Sequence, residues 1–247
     1  MPDAALPRAG SPAPPLRIEA LTVTYQGGLQ AVRGVDLTVE AGQRVGLVGE
    51  SGCGKTSIVR ACMGLLPKGA HAGGSISVGG TEVVGVPARI TRRLRGLVVG
   101  YVPQSPAQAF DPVHRVAHHV EEAWHAQGER PAPDAVEQLL ARLGLPEGRS
   151  RQYPHQWSGG MLQRATIAAA TAHRPLLTIA DEPTSALDAD LADGVLEAVS
   201  SASCALLLVT HDLRLAARSV ESIAVCYAGR VVEMGPAPSV VAQPRHP

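Results

Sequence analysis

The chain has 247 residues, 45% of them hydrophobic and 18% charged, with a mean hydropathy of +0.06. That length can bury a full core as one large domain or two small ones. Lys and Arg together number 22, as do Asp and Glu, so no broad basic surface marks nucleic acid as a partner. No apolar run reaches the roughly 18 residues of a membrane span, and the opening MPDAALPRAGSPAPP has no apolar core of the secretory-signal kind.

Residues 1–15, rich in Pro, Ala and Gly, read as a disordered lead-in to a single domain over 16–247. Leu16 to Tyr25 alternates apolar and polar residues as a half-buried strand does. Gly27-Gly28 turns the chain into a second such strand, Ala31 to Val39. Arg44 to Val48 is a short apolar run ending at glycine, the pattern of a strand buried on both faces. Ser75 to Val84 reads as antiparallel sheet around a Gly79-Gly80 turn, and Leu97 to Val102 as another buried strand.

The middle third is helical in spacing, over Pro112 to Gln127 and Pro133 to Leu143, with Pro131 and Pro133 breaking the chain between. From Ser158 the elements alternate. Helices are expected at Met161–His173, Ala189–Ser200 and Leu213–Ser219, and strands at Leu176–Ala180 and Ala205–Val209. Two short strands, Ser222–Tyr227 and Arg230–Met234, flank Ala228-Gly229. Such alternation predicts a parallel sheet wrapped by helices.

Gly49-Glu50-Ser51-Gly52-Cys53-Gly54-Lys55-Thr56 fits the phosphate-loop pattern GxxxxGK(S/T), after a strand and opening a helix. Glycines let backbone N–H groups curl around phosphate oxygens. The helix that follows points its positive end at the same anion. Lys55, one of only two lysines, is placed to reach the terminal phosphates, and the Thr56 hydroxyl to hold Mg²⁺. The apolar run Leu176 to Ala180 ends in Asp181-Glu182. That puts one carboxylate beside the metal and the other beside an attacking water.

Trp157-Ser158-Gly159-Gly160-Met161-Leu162-Gln163-Arg164 lies just upstream of the acidic strand. Here the chain resembles the ABC ATPase family, whose signature is usually LSGGQ in that place. The resemblance covers Arg17 to Pro236. It implies a P-loop NTPase with a RecA-like parallel core, an antiparallel β subdomain and a helical subdomain over about 105–160. It implies that ATP is bound by Gly49 through Ser57, with Ser158, Gly159 and Gly160 gripping the γ-phosphate of ATP held by a partner subunit. Gln104 corresponds to the Q-loop glutamine at the metal and water. Ser185-Ala186-Leu187-Asp188 is similar to the D-loop, with Asp188 at the dimer interface. His211 is similar to the switch histidine, contacting the γ-phosphate and helping to hold Glu182. Tyr25 stands where the family stacks a ring on adenine, and a plain core tyrosine is the other reading.

Tyr153-Pro154-His155-Gln156, Met161, Tyr227 to Glu233 and the closing Pro244-Arg245-His246-Pro247 resemble the peptide/nickel importer group. Trp157 replaces the usual leucine there, and Leu162 the usual arginine. The chain stops at the closing motif, which leans toward the shorter nickel or metal-chelate subunits. The resemblance implies a second ATPase subunit, identical or homologous, two membrane permeases and an external solute-binding protein, at the cytoplasmic face of the membrane. It implies a coupling-helix groove within Gln104 to Glu122. An ATPase of a soluble assembly, of the phosphonate-breakdown type, is the alternative.

Cys53, Cys62, Cys204 and Cys226 form no CxxC pair and read as reduced thiols of a cytosolic protein. Cys62, Cys204 and Cys226 are expected on buried faces, and Cys53 within reach of solvent. His118, His119 and His125 are expected on a helix surface, without the carboxylate company of a metal site.

Overall fold

The computed structural model describes residues 13–184, 192, 194–197, 199 and 204–246. The D-loop match Ser185–Asp188, most of the proposed tail and part of the expected helix at Ala189–Ser200 lie outside them. The described chain enters at a seated position: Pro15 is buried, and its carbonyl accepts a 3.0 Å bond from the Gly79 N–H.

Among the described residues, ten strands form two sheets. β1 (Leu16–Thr24), β2 (Gln30–Val39), β4 (His71–Val78) and β5 (Thr81–Glu82) make an antiparallel sheet in the order β2-β1-β4-β5. β3 (Arg44–Val48), β6 (Val99–Val102), β7 (Leu177–Asp181), β8 (Leu206–Thr210), β9 (Ser222–Tyr227) and β10 (Arg230–Pro236) make the second, in the order β10-β9-β3-β8-β7-β6. All its pairings are parallel except β9 with β10. A parallel sheet needs cover on both faces, and strand alternation supplies two apolar faces. Val45, Leu47, Ile179, Leu207, Val209 and Cys226 point into a core shared with the antiparallel sheet and α1 (Lys55–Cys62). Val48, Ala180, Leu206, Leu208 and Ile223 point into a second core. There they meet α5 (Gly159–Thr171), the helical residues 192–199 that are described, α6 (Leu213–Ser219) and α7 (Ala237–Ala242).

A third core belongs to the helical layer. Phe110, Val116, Val120, Val136, Leu140, Leu145 and Trp157 pack against Leu162, Ala165 and Ala168 of α5. Its other helices are α3 (Val116–His125) and α4 (Ala135–Arg142). α5 therefore serves two cores at once. Its apolar circumference explains why its alanines run almost continuously: small residues let a helix approach on several sides.

Several boundaries differ from expectation. The first of the middle helices starts at Val116, because Pro112 and the preceding Asp111 sit in a turn. α2 (Ala88–Leu97) occupies a stretch with no expected element; only Thr91 and Leu94 of it are buried, and four of its residues are arginine. α7 was likewise not expected: six residues are too few for a helical period to register.

The signature helix reaches the sheet through one glycine. A Cβ on Gly100 of β6 would lie 2.1 Å from the Ala170 carbonyl oxygen and 2.9 Å from the Pro175 ring. Gly100→Ala must push α5 away from the sheet, an overpacking cost of about 2 kcal/mol or more. A urea melt should show a lower midpoint with an unchanged slope. An unshifted midpoint refutes this contact.

Candidate nucleotide site

Parallel α/β sheets bind ligands beyond the carboxyl ends of their strands. Here four adjacent strands end in the residues singled out from sequence: β3 in the phosphate loop, β8 in Thr210-His211, β7 in Asp181-Glu182, and β6 in Pro103-Gln104. Register aligns the ends, since Val48 pairs with Thr210 and Asp181 with Val209.

The loop is held from beneath. A Cβ on Gly49 would fall 2.1 Å from the Cys226 carbonyl oxygen, and one on Gly54 2.6 Å from the Ala31 carbonyl oxygen. Those two glycines are demanded by backbone packing on β9 and β2. Gly52 has open space around it and is demanded by its φ of 83°. The Ala228-Gly229 hairpin between β9 and β10 locks the loop, with the Gly229 N–H donating to the Cys53 carbonyl at 2.8 Å and the Arg33 N–H to the Gly229 carbonyl at 2.7 Å. The buried Lys55 ammonium donates to the carbonyls of Gly49 (2.6 Å) and Glu50 (2.9 Å), folded back over its own loop. Glu50 and Ser51 are exposed at the rim. α1 opens at Gly54 with no side-chain cap, so its first N–H groups face the loop's mouth.

The acidic edge is strained and paired. Glu182 has φ 50°, a left-handed conformation costly for a residue with a Cβ. Glu182 is 12% exposed, and both its oxygens lie 2.9 Å from Nδ1 of His211, which is 60% exposed. Asp181 is 2% exposed. Burial, then the Glu182 charge, push its pKa up to about 6, against the pull of Lys55 and Arg60 and a hydrogen bond from Thr56. A buried carboxylate disfavoured as an anion and touching a threonine hydroxyl suits a hard divalent cation, which needs only one or two such ligands beside water and phosphate. Gln104 is exposed in the loop after β6.

The signature forms a separate opening. Ser158 caps α5, its hydroxyl accepting from the Met161 N–H at 3.3 Å. Ser158 and Gly159 are exposed, and a Cβ on Gly159 would touch nothing within 4 Å. Gln156 caps the short turn before it, its side-chain oxygen accepting from the Tyr153 N–H at 2.8 Å. Among the described residues, no hydrogen bond joins Ser158, Gly159 or Gly160 to the phosphate loop.

A family profile described as "ABC transporter" matches residues 32–185. A putative peptide import ATP-binding protein of Brucella ovis is 40% identical over 88% of this chain and 69% of its own length. The chain belongs to the ABC transporter family. The oligopeptide transport ATP-binding protein OppD of Salmonella typhimurium is 36% identical over 94% of this chain and 73% of its own length. The chain spans only 38% of the OppD of Mycobacterium bovis, at 39% identity. Among solved structures, an ATP-binding subunit of an ABC transporter aligns with TM-score 0.76 and 28% identity, over 92% of each chain. A dimeric cassette in a post-hydrolysis state with ADP and phosphate aligns with TM-score 0.79 and 24% identity, over 90% of this chain and 98% of that one. The fold is thus that of an ABC cassette, and the chain is an ATPase.

Within that cassette some expectations shift. Trp157 and Leu162 are both buried in the helical core, so an apolar side chain replaces arginine where the surroundings are apolar. Arg164, two residues on, instead donates to the carbonyls of Leu143 (3.2 Å) and Gly144 (2.8 Å) and ties α5 to the end of α4. Tyr25 is half-buried, its hydroxyl 2.9 Å from that of Ser57 on α1. His119 is not a surface residue: its side chain is 9% exposed and meets Phe110 edge-on, with ring centroids 5.0 Å apart. Carboxylates do attend these histidines, Asp111 beside His114 and Glu122 beside His118 and His119. The reason is the turn at Asp111, which folds back onto α3 and is invisible to a helical count. Among the described residues, no group of three or more His, Cys, Asp or Glu could hold a metal ion. Cys204 is exposed, and Cys53 is buried at 8%, reversing both expectations. The role of β9 and its hairpin under the loop escaped sequence reading altogether. A cavity of about 1050 Å³ lined by Trp124, Arg142, His173 and Arg174 contains none of the phosphate-handling residues. No described helix is long and apolar enough to cross a membrane.

Asp181 carries a stability cost that titrates. Its folded pKa is raised, so folding loses stability as pH climbs from the unfolded value near 4 through about 6. Asp181→Asn should therefore raise the melting temperature of the nucleotide-free, magnesium-free chain at pH 7.5, by roughly 5 °C. The gap should close toward pH 4.5. A variant that melts lower than wild type at both pH values refutes the charge penalty.

Proposed function

We propose that the chain is the ATP-hydrolysing subunit of a peptide importer, working as one half of a head-to-tail ATP sandwich. The observation that carries this reading is the single sheet edge at which Lys55, Asp181, Glu182 and His211 meet, with the Ser158 opening set apart from it. A lone chain offers a phosphate loop without a signature facing it, and a second cassette supplies that signature. Relatives at 36–40% identity named for peptide import or oligopeptide transport favour peptides as the solute over nickel or metal chelates. They favour a transporter over a soluble assembly in the same way. Partner permeases, a solute-binding protein and a place at the cytoplasmic membrane face follow from that role. The exposed turn at Asp111-Pro112-Val113, with Val113 at 71% exposure, is the proposed permease contact after Gln104.

In this mechanism the loop N–H groups from Glu50 to Ser57 and the start of α1 receive the β- and γ-phosphates. Lys55 exchanges its carbonyl partners for phosphate oxygens, so it is pre-placed and costs little reorganisation. Tyr25, fixed by Ser57, presents its ring to adenine. Thr56, Asp181 and Gln104 would hold Mg²⁺, which when bound neutralises charge on the phosphate oxygens. Glu182 accepts the proton of the water that attacks the γ-phosphorus, and His211 holds that carboxylate in line. Ser158, Gly159 and Gly160 of the opposite subunit close the site, with Asp188 across the interface.

Glu182→Gln keeps the side chain's shape and loses the proton acceptor. Nucleotide affinity should hold while turnover falls by a barrier of about 2.7–4 kcal/mol. Turnover within about threefold of wild type removes Glu182 from this role. Pairing in trans is read separately, in the assembled transporter, by mixing a Ser158→Arg subunit with a Lys55→Ala subunit. The mixture should regain hydrolysis that neither variant shows alone. A mixture as inactive as its parents counts against the shared site.

A further inference from the structure

Three functional groups of the phosphate loop and its support meet outside the phosphate cradle. Cys226, 1% exposed on β9, donates its thiol hydrogen to the Cys53 carbonyl at 3.4 Å, across 173 residues of sequence. That bond seats the Cys226 thiol against Cys53, and each thiol shifts the other's proton affinity. The Lys55 ammonium stands 3.8 Å from the Cys53 sulfur. We propose that Cys53 and Cys226 are a redox pair whose disulfide closes the phosphate loop to nucleotide. The proposal rests on the phosphate-loop reading above and adds a control element to it.

The two thiols are unequal, as a reactive pair requires. The Cys226 thiol, followed by Lys55, draws the Cys53 pKa down, whereas Cys53 and burial push that of Cys226 up. Cys53 is therefore the nucleophile and Cys226 the proton-bearing partner that resolves it. Cys62, fully enclosed and pushed up to about 12, has no such neighbour. The oxidant is hydrogen peroxide, small enough to enter beside Cys53, a residue 8% exposed. The Cys53 thiolate attacks one peroxide oxygen, the O–O bond breaks, and a sulfenic acid forms as hydroxide leaves. Cys226 then gives up its proton, its sulfur attacks the sulfenic sulfur, and the S–O bond breaks to release the second oxygen as water. Two thiols lose two electrons and the peroxide gains them.

A disulfide needs sulfurs about 2.05 Å apart, far inside the contact distance of two unbonded thiols. The pull acts on the loop, because β9 is paired on both sides by β3 and β10. Gly49 already has no slack against the Cys226 carbonyl. Drawing Cys53 toward β9 strains the Cys53 N–H bond to the Glu50 carbonyl and tilts the Gly54 N–H, reshaping the arc that would face phosphate. It also takes from Lys55 its neighbouring thiolate. Bound ATP, by holding the arc, opposes the closure.

The experiment treats the full chain with hydrogen peroxide, with and without saturating ATP, and maps its peptides by mass spectrometry under non-reducing conditions. Binding of a fluorescent ATP analogue is measured alongside. The expected result is a Cys53–Cys226 cross-link that ATP suppresses, at least tenfold weaker nucleotide binding, and full recovery with dithiothreitol. Cys226→Ala should bind nucleotide like wild type before oxidation. After oxidation its Cys53 should run on to sulfinic acid, which dithiothreitol does not reverse. Wild-type Cys53 found as sulfinic acid without the cross-link overturns the pair. A cross-linked chain with unchanged nucleotide affinity overturns the switch. If the reduced chain fails to bind nucleotide, the phosphate-loop reading falls instead, while the cross-link still decides the pair.

Discussion

The seating of Gly49 on β9 is the constraint on which the site hangs. Where the chain leaves β3, the space for one methyl group is filled by the Cys226 carbonyl oxygen, 2.1 Å from where a Cβ would stand. The loop cannot rise or slide without losing that contact. Its far side is fixed by Gly229 on Cys53, so the segment between is spanned like a bridge from two piers. An anion cradle built of like-oriented N–H groups is electrostatically unfavourable when empty. Here the cost is met by backbone packing beneath and by Lys55, whose ammonium lies on the Gly49 and Glu50 carbonyls. The glycines of the loop thus answer to two demands: Gly52 to a positive φ, Gly49 to a neighbour below, and Gly54 to both.

That seating also explains which parts of the structure were legible in the sequence. β3, β7 and β8 show as short apolar runs because both faces of the parallel sheet are covered, and their chemistry follows at the next residue. The phosphate loop, Asp181-Glu182 and His211 were readable because each requires a strand immediately before it. Contacts between distant segments were not. Nothing local to Cys226 says that it lies beneath Cys53, and nothing local to Asp111 says that it turns back on α3. α2 was hidden by composition, with four arginines and two buried positions leaving no apolar stripe to count. Cys204 was misread for a related reason: it stands ahead of β8, one residue before burial begins at Ala205.

Two cores share α5, and this ties the signature to the sheet. Leu162, Ala165 and Ala168 belong to the helical layer, while Ile167 and Ala170 belong to the parallel-sheet core. Gly100 brings the helix so close to β6 that the strand and α5 must move as one body. Gln104 follows β6 directly, and Ser158 opens α5. A push delivered at the Asp111–Val113 turn or at Gln104 therefore has a rigid route to Ser158.

The acidic edge is the place where the fold departs from its own stability. Asp181 is buried with a carboxylate beside it, and Glu182 is held in a left-handed conformation. Each lowers the stability of the empty chain, and Lys55, Arg60 and Thr56 offset the Asp181 charge only in part. The His211 ring hydrogen-bonds the Glu182 carboxylate, yet it is exposed and attached at the edge. Positive charge brought to Asp181 recovers part of what folding gave up there. Such a site has its strongest interactions only in the loaded, closed state, so binding energy can drive closure. In the proposed ATP sandwich, relief of that strain at the β7 end is the link between nucleotide occupancy and the approach of a second subunit.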